Sequence, residues 1–363
     1  MIAGAATPQY KIRPKGFLNM LHTAGDPDSI KVSNYDGHKK TVNVSFRKPF
    51  TKAQTETGGV SCEQVLIPSK NEGTVSVANT RSISVHLEDE LVAQYCNDAS
   101  AVVAAKGAIP STAIMNEVVD IIMSAGNALL QGVNEDLLGL VTFGKNIVSG
   151  SAAAVAVNMP KDLTVQPLAG GMTKLMSDYA INGLTGRPQV VGTNNSFSYF
   201  LQQAWKNGPD QGGFDSRIVT GMMDYYHDTD YPTVFTANSG QQFGVFEPGS
   251  IQLVQYLQNT GFKAGTKGTS TFGVLPLPML DSSGNVKPVK FDFQLKYVDC
   301  AHDFTDSYSG ASLTGTGRGW TIILSKQFGL WQVPADAYRN EDARFTVNGA
   351  LRYYASNDCD SCV

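Results

Sequence analysis

Two groups of histidine and aspartate residues could carry acid–base or metal chemistry. His227 lies within residues 224–230, which also hold three aspartates, and His302 lies between Asp299 and Asp303. A histidine oriented by a carboxylate can act as a general base, and imidazole together with carboxylates can bind a divalent metal. Neither spacing matches a metal or hydrolase motif. We therefore expect residues 224–230 to form a solvated, turn-rich loop.

Two further motifs have only part of the pattern that their chemistry needs. Residues 315–319 read Gly-Thr-Gly-Arg-Gly, but a dinucleotide site needs G-x-G-x-x-G after a strand and before a helix, and this segment precedes a strand-like run. Cys359 and Cys362 have C-x-x-C spacing without the further ligands of a zinc site or the helix of a redox motif. We predict that the protein is not an enzyme and has no catalytic residues, metal or cofactor.

The composition is typical of a globular protein made in a cytoplasm. The chain has 363 residues, of which 42% are hydrophobic, and it contains no apolar run long enough for a membrane span. The first sixteen residues lack the apolar stretch of a secretory signal. This length predicts two domains or one elaborated domain. The net charge of −4 argues against a dedicated nucleic-acid binder.

Charge is unevenly distributed along the chain. Residues 1–52 hold nine basic and three acidic residues, so this segment is +6 and the remainder is −10. A basic segment on an acidic body can bind polyanions, or it can lie across acidic neighbours of the same protein; we favour the second. The basic residues that we assign to contacts between copies are Lys11, Arg13, Lys15, Lys39, Lys40, Arg47, Lys48 and Lys52.

The first part of the chain has little apolar surface with which to form a core. Residues 1–40 are polar except for the patch at 17–21, and this predicts an extended arm that cannot bury itself. Alternation of apolar and polar residues at 41–47 and from 74 to 85 predicts two strands around a long polar excursion. Such a projecting β-hairpin is not stable alone, so it must either rest on a partner surface or be mobile.

A long helix and an α+β arrangement follow. An apolar stripe from about residue 111 to 143 predicts a helix of roughly 45–50 Å, at 1.5 Å per residue. Helices are also predicted at 88–105, 172–182, 197–206 and from 250 to before 261. Strands are predicted at 188–191, 233–236, 242–246, 272–280, 289–298, 320–324 and 329–333, with a loop at 309–319 and a polar end. The predicted fold class is α+β.

This organisation resembles the major capsid proteins of tailed double-stranded DNA bacteriophages, the Hong Kong 97-like fold. Local phrases carry the resemblance: Phe-Arg-Lys-Pro-Phe at 46–50, the segments 115–117 and 134–137, Val-Phe-Glu-Pro-Gly-Ser at 245–250, and the segments 261–265 and 291–297. The resemblance implies an N-terminal arm at 1–40 and an extended β-hairpin loop at 41–86. It further implies a peripheral domain at 87–183 with a spine helix at about 111–143, a compact axial domain at 184–300, and a return to the peripheral domain with a C-terminal tail at 301–363.

The resemblance also implies a function. The chain would self-assemble as hexamers and pentamers into an icosahedral head, part of the virion, that encloses double-stranded DNA without specific recognition. Scaffold, portal and decoration proteins would be further partners, and no membrane is involved. Some family members crosslink a hairpin lysine to a neighbour's asparagine, but nothing marks Lys52, Lys70 or Asn71 as reactive, so we expect noncovalent assembly.

Three alternatives stay open at this point. An encapsulin-like nanocompartment shell has the same fold and differs in its cargo. A hydrolase would use the acidic clusters at His227 or His302. A phage tail or surface-binding protein should show fibrous repeats, and the sequence has none.

Overall fold

The computed structural model of the chain describes residues 16–24, 32–36, 40–47, 70–88, 113–146, 152–158, 171–193, 196, 223–235, 242–257, 265–267, 270–280, 286–299, 302–305, 312–315, 318–334 and 348–356. Contacts divide the chain into two compact units. The described part of the first unit lies in Asn79–Val133 and Gln255–Gln327, and that of the second in Lys15–Ala78, Asn134–Val254 and Phe328–Val363.

The helices are α1 (Gly16–Ala24), α2 (Ala113–Leu140), α3 (Gly171–Ile181) and α4 (Tyr231–Val234). The strands of the first half are β1 (Val32–Asp36), β2 (Thr41–Arg47), β3 (Lys70–Ser76), β4 (Asn79–Glu88), β5 (Val155–Asn158) and β6 (Gln189–Gly192). Those of the second half are β7 (Asp224–His227), β8 (Gln242–Phe246), β9 (Ile251–Tyr256), β10 (Gly265–Lys267), β11 (Ser270–Leu280), β12 (Val286–Asp299), β13 (His302–Thr305), β14 (Ser312–Gly315), β15 (Arg318–Gln332) and β16 (Ala350–Ser356). The predicted α+β class is confirmed.

The sheet of the first unit is built on a long antiparallel hairpin. β11 and β12 pair in register from Ser270 with Lys296 to Leu280 with Val286, and β12 continues onto β15. The strand order is β10-β11-β12-β15-β4, and β9 also pairs with β15. In β12, Val289 and Phe291 are buried and Lys290 between them is exposed. The hairpin predicted from period-two alternation is therefore confirmed.

A five-stranded mixed sheet forms the core of the second unit. Its order is β5-β16-β8-β6-β7, and β16 lies between a parallel partner, β5, and an antiparallel one, β8. Leu175 and Tyr179 of α3 are buried in the same hydrophobic cluster as Leu351 and Tyr353 of β16. The prediction of a polar end was wrong for residues 350–356, which form an interior strand of this sheet.

A smaller sheet of order β1-β2-β3 contains the base of the predicted hairpin. β2 and β3 pair in register from Thr41 with Ser76 to Arg47 with Lys70. One face of the pair is buried through Val42, Val44 and Val75. The predicted second strand is in fact two strands, because β4 begins at Asn79 and joins the other sheet. The hairpin tip, residues 48–69, lies outside the described residues.

Helix prediction succeeded where the apolar stripe was long. α2 spans 28 residues inside the predicted 111–143, and α3 ends before Gly183, whose φ of +73° favours glycine. The helices predicted at 88–105 and 197–206 lie outside the described residues, apart from Glu88, which ends strand β4. Within the described part of the chain, no helix is both long and apolar enough to cross a membrane.

Four short predictions were wrong. A strand was predicted at 233–236, but residues 231–234 form a helix. Pro232 lies in its first turn, a position that suits the fixed φ of proline. Residues 251–256 form β9 and pair with β15, so tertiary pairing overrides the three-residue spacing of Ile251 and Val254. The loop predicted at 309–319 contains β14, which pairs with β13. The two strands predicted between 320 and 333 are one, β15.

Candidate functional site

Helix α1 belongs to the second unit and packs against its mixed sheet. Phe17 and Leu18 are fully buried and Met20 and Leu21 are nearly so, and the helix packs against β6 and β7. The prediction that residues 1–40 cannot bury themselves is therefore wrong for this segment. Its four apolar residues are adjacent to one another in a helix, so they present one continuous surface to the sheet.

Asp228 and Asn134 hold the first turn of α1. The backbone N–H of Phe17 donates to Asp228 Oδ2 at 2.7 Å, and that of Leu18 donates to Asn134 Oδ1 at 2.9 Å. The first N–H groups of a helix have no partner within it, and negative charge is favourable there because of the helix dipole. A carboxylate and an amide from distant parts of the chain thus provide the N-terminal cap of α1.

The two capping side chains are themselves connected. Asn134 Nδ2 donates to Asp228 Oδ2 at 3.0 Å and to Asp230 Oδ2 at 3.0 Å, and the backbone N–H of Asp230 donates to Asp228 Oδ1 at 2.8 Å. Asp228 and Asn134 have no exposed surface, and Asp230 is 7% exposed. Every polar group of this cluster therefore has a partner in place of the water that it has lost. We call Asn134, Asp228 and Asp230 the α1 clasp.

Gly16 allows α1 to approach the clasp closely. A Cβ at this position would overlap the backbone carbonyl of His227 and come within 2.7 Å of the Asp228 Cβ. Any larger side chain would push the first turn of α1 away from Asp228. Glycine is therefore required at position 16, because the backbones of Gly16 and His227 lie close together.

Residues 224–230 are not the solvated loop that the sequence predicted. Asp224–His227 is strand β7, and the aspartates that follow it are buried in the α1 clasp. Among the described residues, no group of three or more His, Cys, Asp or Glu side chains is placed to hold a metal ion. Both carboxylate oxygens of Asp228 accept hydrogen bonds from the protein, so its geometry is that of a helix cap.

A chain of aromatic contacts begins at Phe17 of α1, beside the clasp, and extends into the core of the second unit. Phe17 of α1 lies 5.6 Å from Phe246, and Phe246 lies 6.1 Å from Phe143, between ring centroids. The Arg352 guanidinium lies over Phe143 and Phe235 at 5.2 and 5.5 Å. Burial raises the pKa of Tyr231 well above its ordinary value, so this phenol stays protonated.

Few of the basic residues assigned to contacts between copies can be placed. Lys40 is in a turn with φ of +49°, and its carbonyl accepts a 2.8 Å hydrogen bond from the N–H of Val77. Arg47 ends β2 opposite Lys70. The other six lie outside the described residues: Lys11, Arg13, Lys15, Lys39, Lys48 and Lys52. His302 begins β13.

Sequence reasoning missed a buried lysine in the first unit. Lys326 has no exposed surface, donates to Gln255 Oε1 at 2.8 Å, and lies 5.3 Å from the Phe291 ring centroid. Burial lowers the pKa of Lys326 to about 7, and the charge of Asp292 opposes that change. The sequence did indicate this burial, because Leu324, Lys326 and Phe328 are alternate residues and so lie on the same, buried face of β15.

Comparison with known proteins finds similarity in solved structures alone: no protein-family model and no curated protein matches the chain. The capsid asymmetric unit of cyanophage A-1(L) is 14% identical, with 88% of this chain and 89% of that chain covered and a TM-score of 0.46. The capsid of Ralstonia phage GP4 is 10% identical, with 95% and 93% covered and a TM-score of 0.41. The capsid of cyanophage P-SCSP1u is 11% identical, with 96% and 87% covered and a TM-score of 0.40.

Proposed function

We propose that this chain is the major capsid protein of a tailed phage, a subunit that assembles as hexamers and pentamers into an icosahedral head around double-stranded DNA. The observation that carries the proposal is the order of elements along the chain. The hairpin β2–β3 is followed by the 28-residue helix α2, then by four of the five strands of the mixed sheet, β5 to β8, and then by the long strands β11, β12 and β15, before β16 completes the mixed sheet. This is the order that the sequence resemblance implies for a shell subunit.

The hairpin supports self-association. The last pair of β2 and β3, Arg47 with Lys70, lies where residues 48–69 leave and re-enter the sheet. These residues are polar, with Gly58 and Gly59 in the middle. A segment of this length and composition has too little apolar surface to form a core of its own. We infer that it rests on a neighbouring copy in the shell.

The charge distribution supports contacts between copies more than contacts with DNA. The basic segment at 1–52 can pair with the acidic remainder of a neighbour, through many weak contacts that salt would screen. Strong binding to duplex DNA requires clustered lysine and arginine that neutralise phosphates. With a net charge of −4, we expect the shell to contain DNA without recognising a sequence.

The proposal is tested by electron microscopy of the purified recombinant chain. We expect closed spherical particles of uniform diameter in negative stain. A variant that lacks residues 1–15 keeps α1 and its clasp, so it should unfold at the same temperature as the parent while forming few or no shells.

The choice of deletion follows from the α1 clasp. Removing residues 1–40 would also remove Phe17 and leave Asp228 without a helix to cap, so loss of shells would then report misfolding. A parent chain that stays monomeric under all assembly conditions would overturn the proposal. Normal shells from the 1–15 deletion would show that the basic residues at 11–15 are not needed for assembly, and would leave the proposed function intact.

A further inference from the structure

We infer that an apolar surface around residues 140–146, with Ile181 beside it, is covered by a second copy of this chain in the assembled shell. The inference rests on the proposed function and names one of the contacts that it requires. The surface lies entirely in the second unit. We call it the 140–146 patch, formed by Leu140, Phe143, Lys145, Ile181, Val333 and Pro334.

Two large apolar side chains in the patch are exposed. Ile181 is 50% exposed and Leu140 is 42% exposed, and these are the large hydrophobic residues that stand out at the surface of the described chain. The side-chain amide of Asn182 donates to Asn146 Oδ1 at 3.2 Å, so the end of α3 lies beside the segment that follows Leu140. Leu140 precedes the groove-lining residues 142–145 in the chain and Ile181 precedes Asn182, so each adds exposed apolar surface next to this segment.

A groove lies within the same patch. It encloses about 510 Å³ and is lined in part by Phe143, Val333, Pro334 and Lys145. Apolar surface predominates in the groove, although Thr142, Gln332 and Asn348 also line it, and Lys145 is the one cation among its lining residues. Its volume is large enough to take one or more side chains of a partner.

The walls of the groove are held in place by hydrogen bonds. The side-chain amide of Gln332 pairs with the peptide of Thr142, donating to its carbonyl at 2.6 Å and accepting from its N–H at 3.0 Å. Asn348 Nδ2 donates to the same carbonyl at 2.7 Å. The Arg352 guanidinium lies over Phe143, another of the lining residues. A preformed groove binds a partner with less loss of conformational entropy.

Asn348 provides an independent sign that a partner is missing. Its Oδ1 is buried and has no hydrogen-bond donor among the described residues, although its Nδ2 is bonded to Thr142. A buried acceptor without a donor is unfavourable by about 1–3 kcal/mol. A backbone or side-chain N–H of a partner that enters the groove would satisfy this oxygen.

Charge favours a second copy as that partner. Lys145 is exposed at the edge of the groove, and residues 53–363 carry a net charge of −10. An acidic surface of a neighbouring copy would therefore meet a cation here, with the apolar residues of the patch excluding water. Duplex DNA is disfavoured as the occupant, because the patch is apolar and offers one lysine where phosphate binding needs several.

The first test replaces Ile181. We expect Ile181→Lys to unfold at the temperature of the parent, since the side chain is half exposed, but to reduce the yield of shells about tenfold or more. Ile181→Leu keeps the apolar surface and should assemble like the parent. Normal shell yield from Ile181→Lys would overturn the inference while leaving the proposed function intact.

The second test measures whether the surface is covered. In the variant Ile181→Cys, a maleimide should label the introduced thiol readily in dissociated subunits and about tenfold more slowly in shells, with the parent chain giving the background of its five cysteines. Equal labelling in both states would show an open surface and reject the inference. A parent chain that forms no shells would instead count against the proposed function.

Discussion

Asp228 in the second unit and Lys326 in the first are both fully buried, and the two side chains have very different partners. Asp228 in the second unit accepts hydrogen bonds from the N–H groups of Phe17 and Asp230 and from the Asn134 amide. Lys326 in the first unit donates to one neutral oxygen, that of Gln255, and lies over an aromatic ring, and the charge of Asp292 offsets only part of its burial, since its pKa is still lowered. A buried charge is stabilising only when its surroundings replace the water that it loses. The comparison predicts that removing the two charges will change stability in opposite directions.

The largest effect is expected at the α1 clasp. Asp228→Ala should lower the free energy of unfolding by about 3–5 kcal/mol, because it leaves several buried donors without an acceptor. The measurement is urea denaturation of the purified subunit. Asp224→Ala is the matched control: its carboxylate pairs with Arg187 at 2.8 Å but is 41% exposed, so its loss should have an effect below about 1 kcal/mol. Equal losses for both variants would refute the role of the clasp.

The opposite sign is expected for Lys326. Lys326→Met should raise the free energy of unfolding at pH 7 by about 1–4 kcal/mol, since an apolar side chain of similar volume needs no hydration. Thermal or urea unfolding of both chains in one buffer gives the difference. Lys290→Met on the neighbouring strand β12 is an exposed control and should change little.

The pH dependence sharpens this prediction. The pKa of Lys326 is about 7 in the folded chain, against 10.5 for the ordinary side chain. Between these values the unfolded chain binds more protons, so the parent should become more stable as pH rises from about 7 towards 10.5. Below pH 7 the unfavourable burial of the charge is fully present. The Lys326→Met variant should lack this rise, and an identical slope in both chains would contradict the assignment.

A smaller effect is expected from steric approach to the clasp. Gly16→Ala should destabilise the subunit by about 1–3 kcal/mol, because its Cβ would overlap the His227 carbonyl. Gly139→Ala in α2 is the control, since a Cβ there meets nothing within 4 Å and alanine favours a helix by about 1 kcal/mol. Thermal unfolding should therefore move in opposite directions for the two variants. If Gly16→Ala unfolded at a higher temperature than the parent, α1 could shift away from the clasp without loss of stability, and the requirement for glycine would be refuted.

Sequence patterns predicted the elements whose formation depends on local periodicity. β2 and β8 have the predicted bounds, and the long hairpin β11–β12 and helix α2 were located from their periods of 2 and 3.6. Their apolar residues recur often enough to indicate both the type of element and its buried face.

The α1 clasp could not be predicted in this way. Phe17 and Asp228 are 211 residues apart, and nothing in the local sequence relates a five-residue apolar patch to an acidic run. The burial of β16 likewise depends on elements distant in sequence: the strands β5 and β8 and the helix α3. Lys326 is different, because its position two residues after Leu324 and two before Phe328 indicates the buried face of β15. The prediction ended the first strand at residue 324, so Lys326 was not assigned to a strand.

The central claim, that the chain exists as many copies in a closed shell, is tested most directly by sedimentation velocity of the purified protein. The account predicts that, at low salt and high protein concentration, most of the mass sediments as one narrow boundary of particles many times the 38.9 kDa subunit mass. A single 38.9 kDa species at every concentration and salt tried would contradict it.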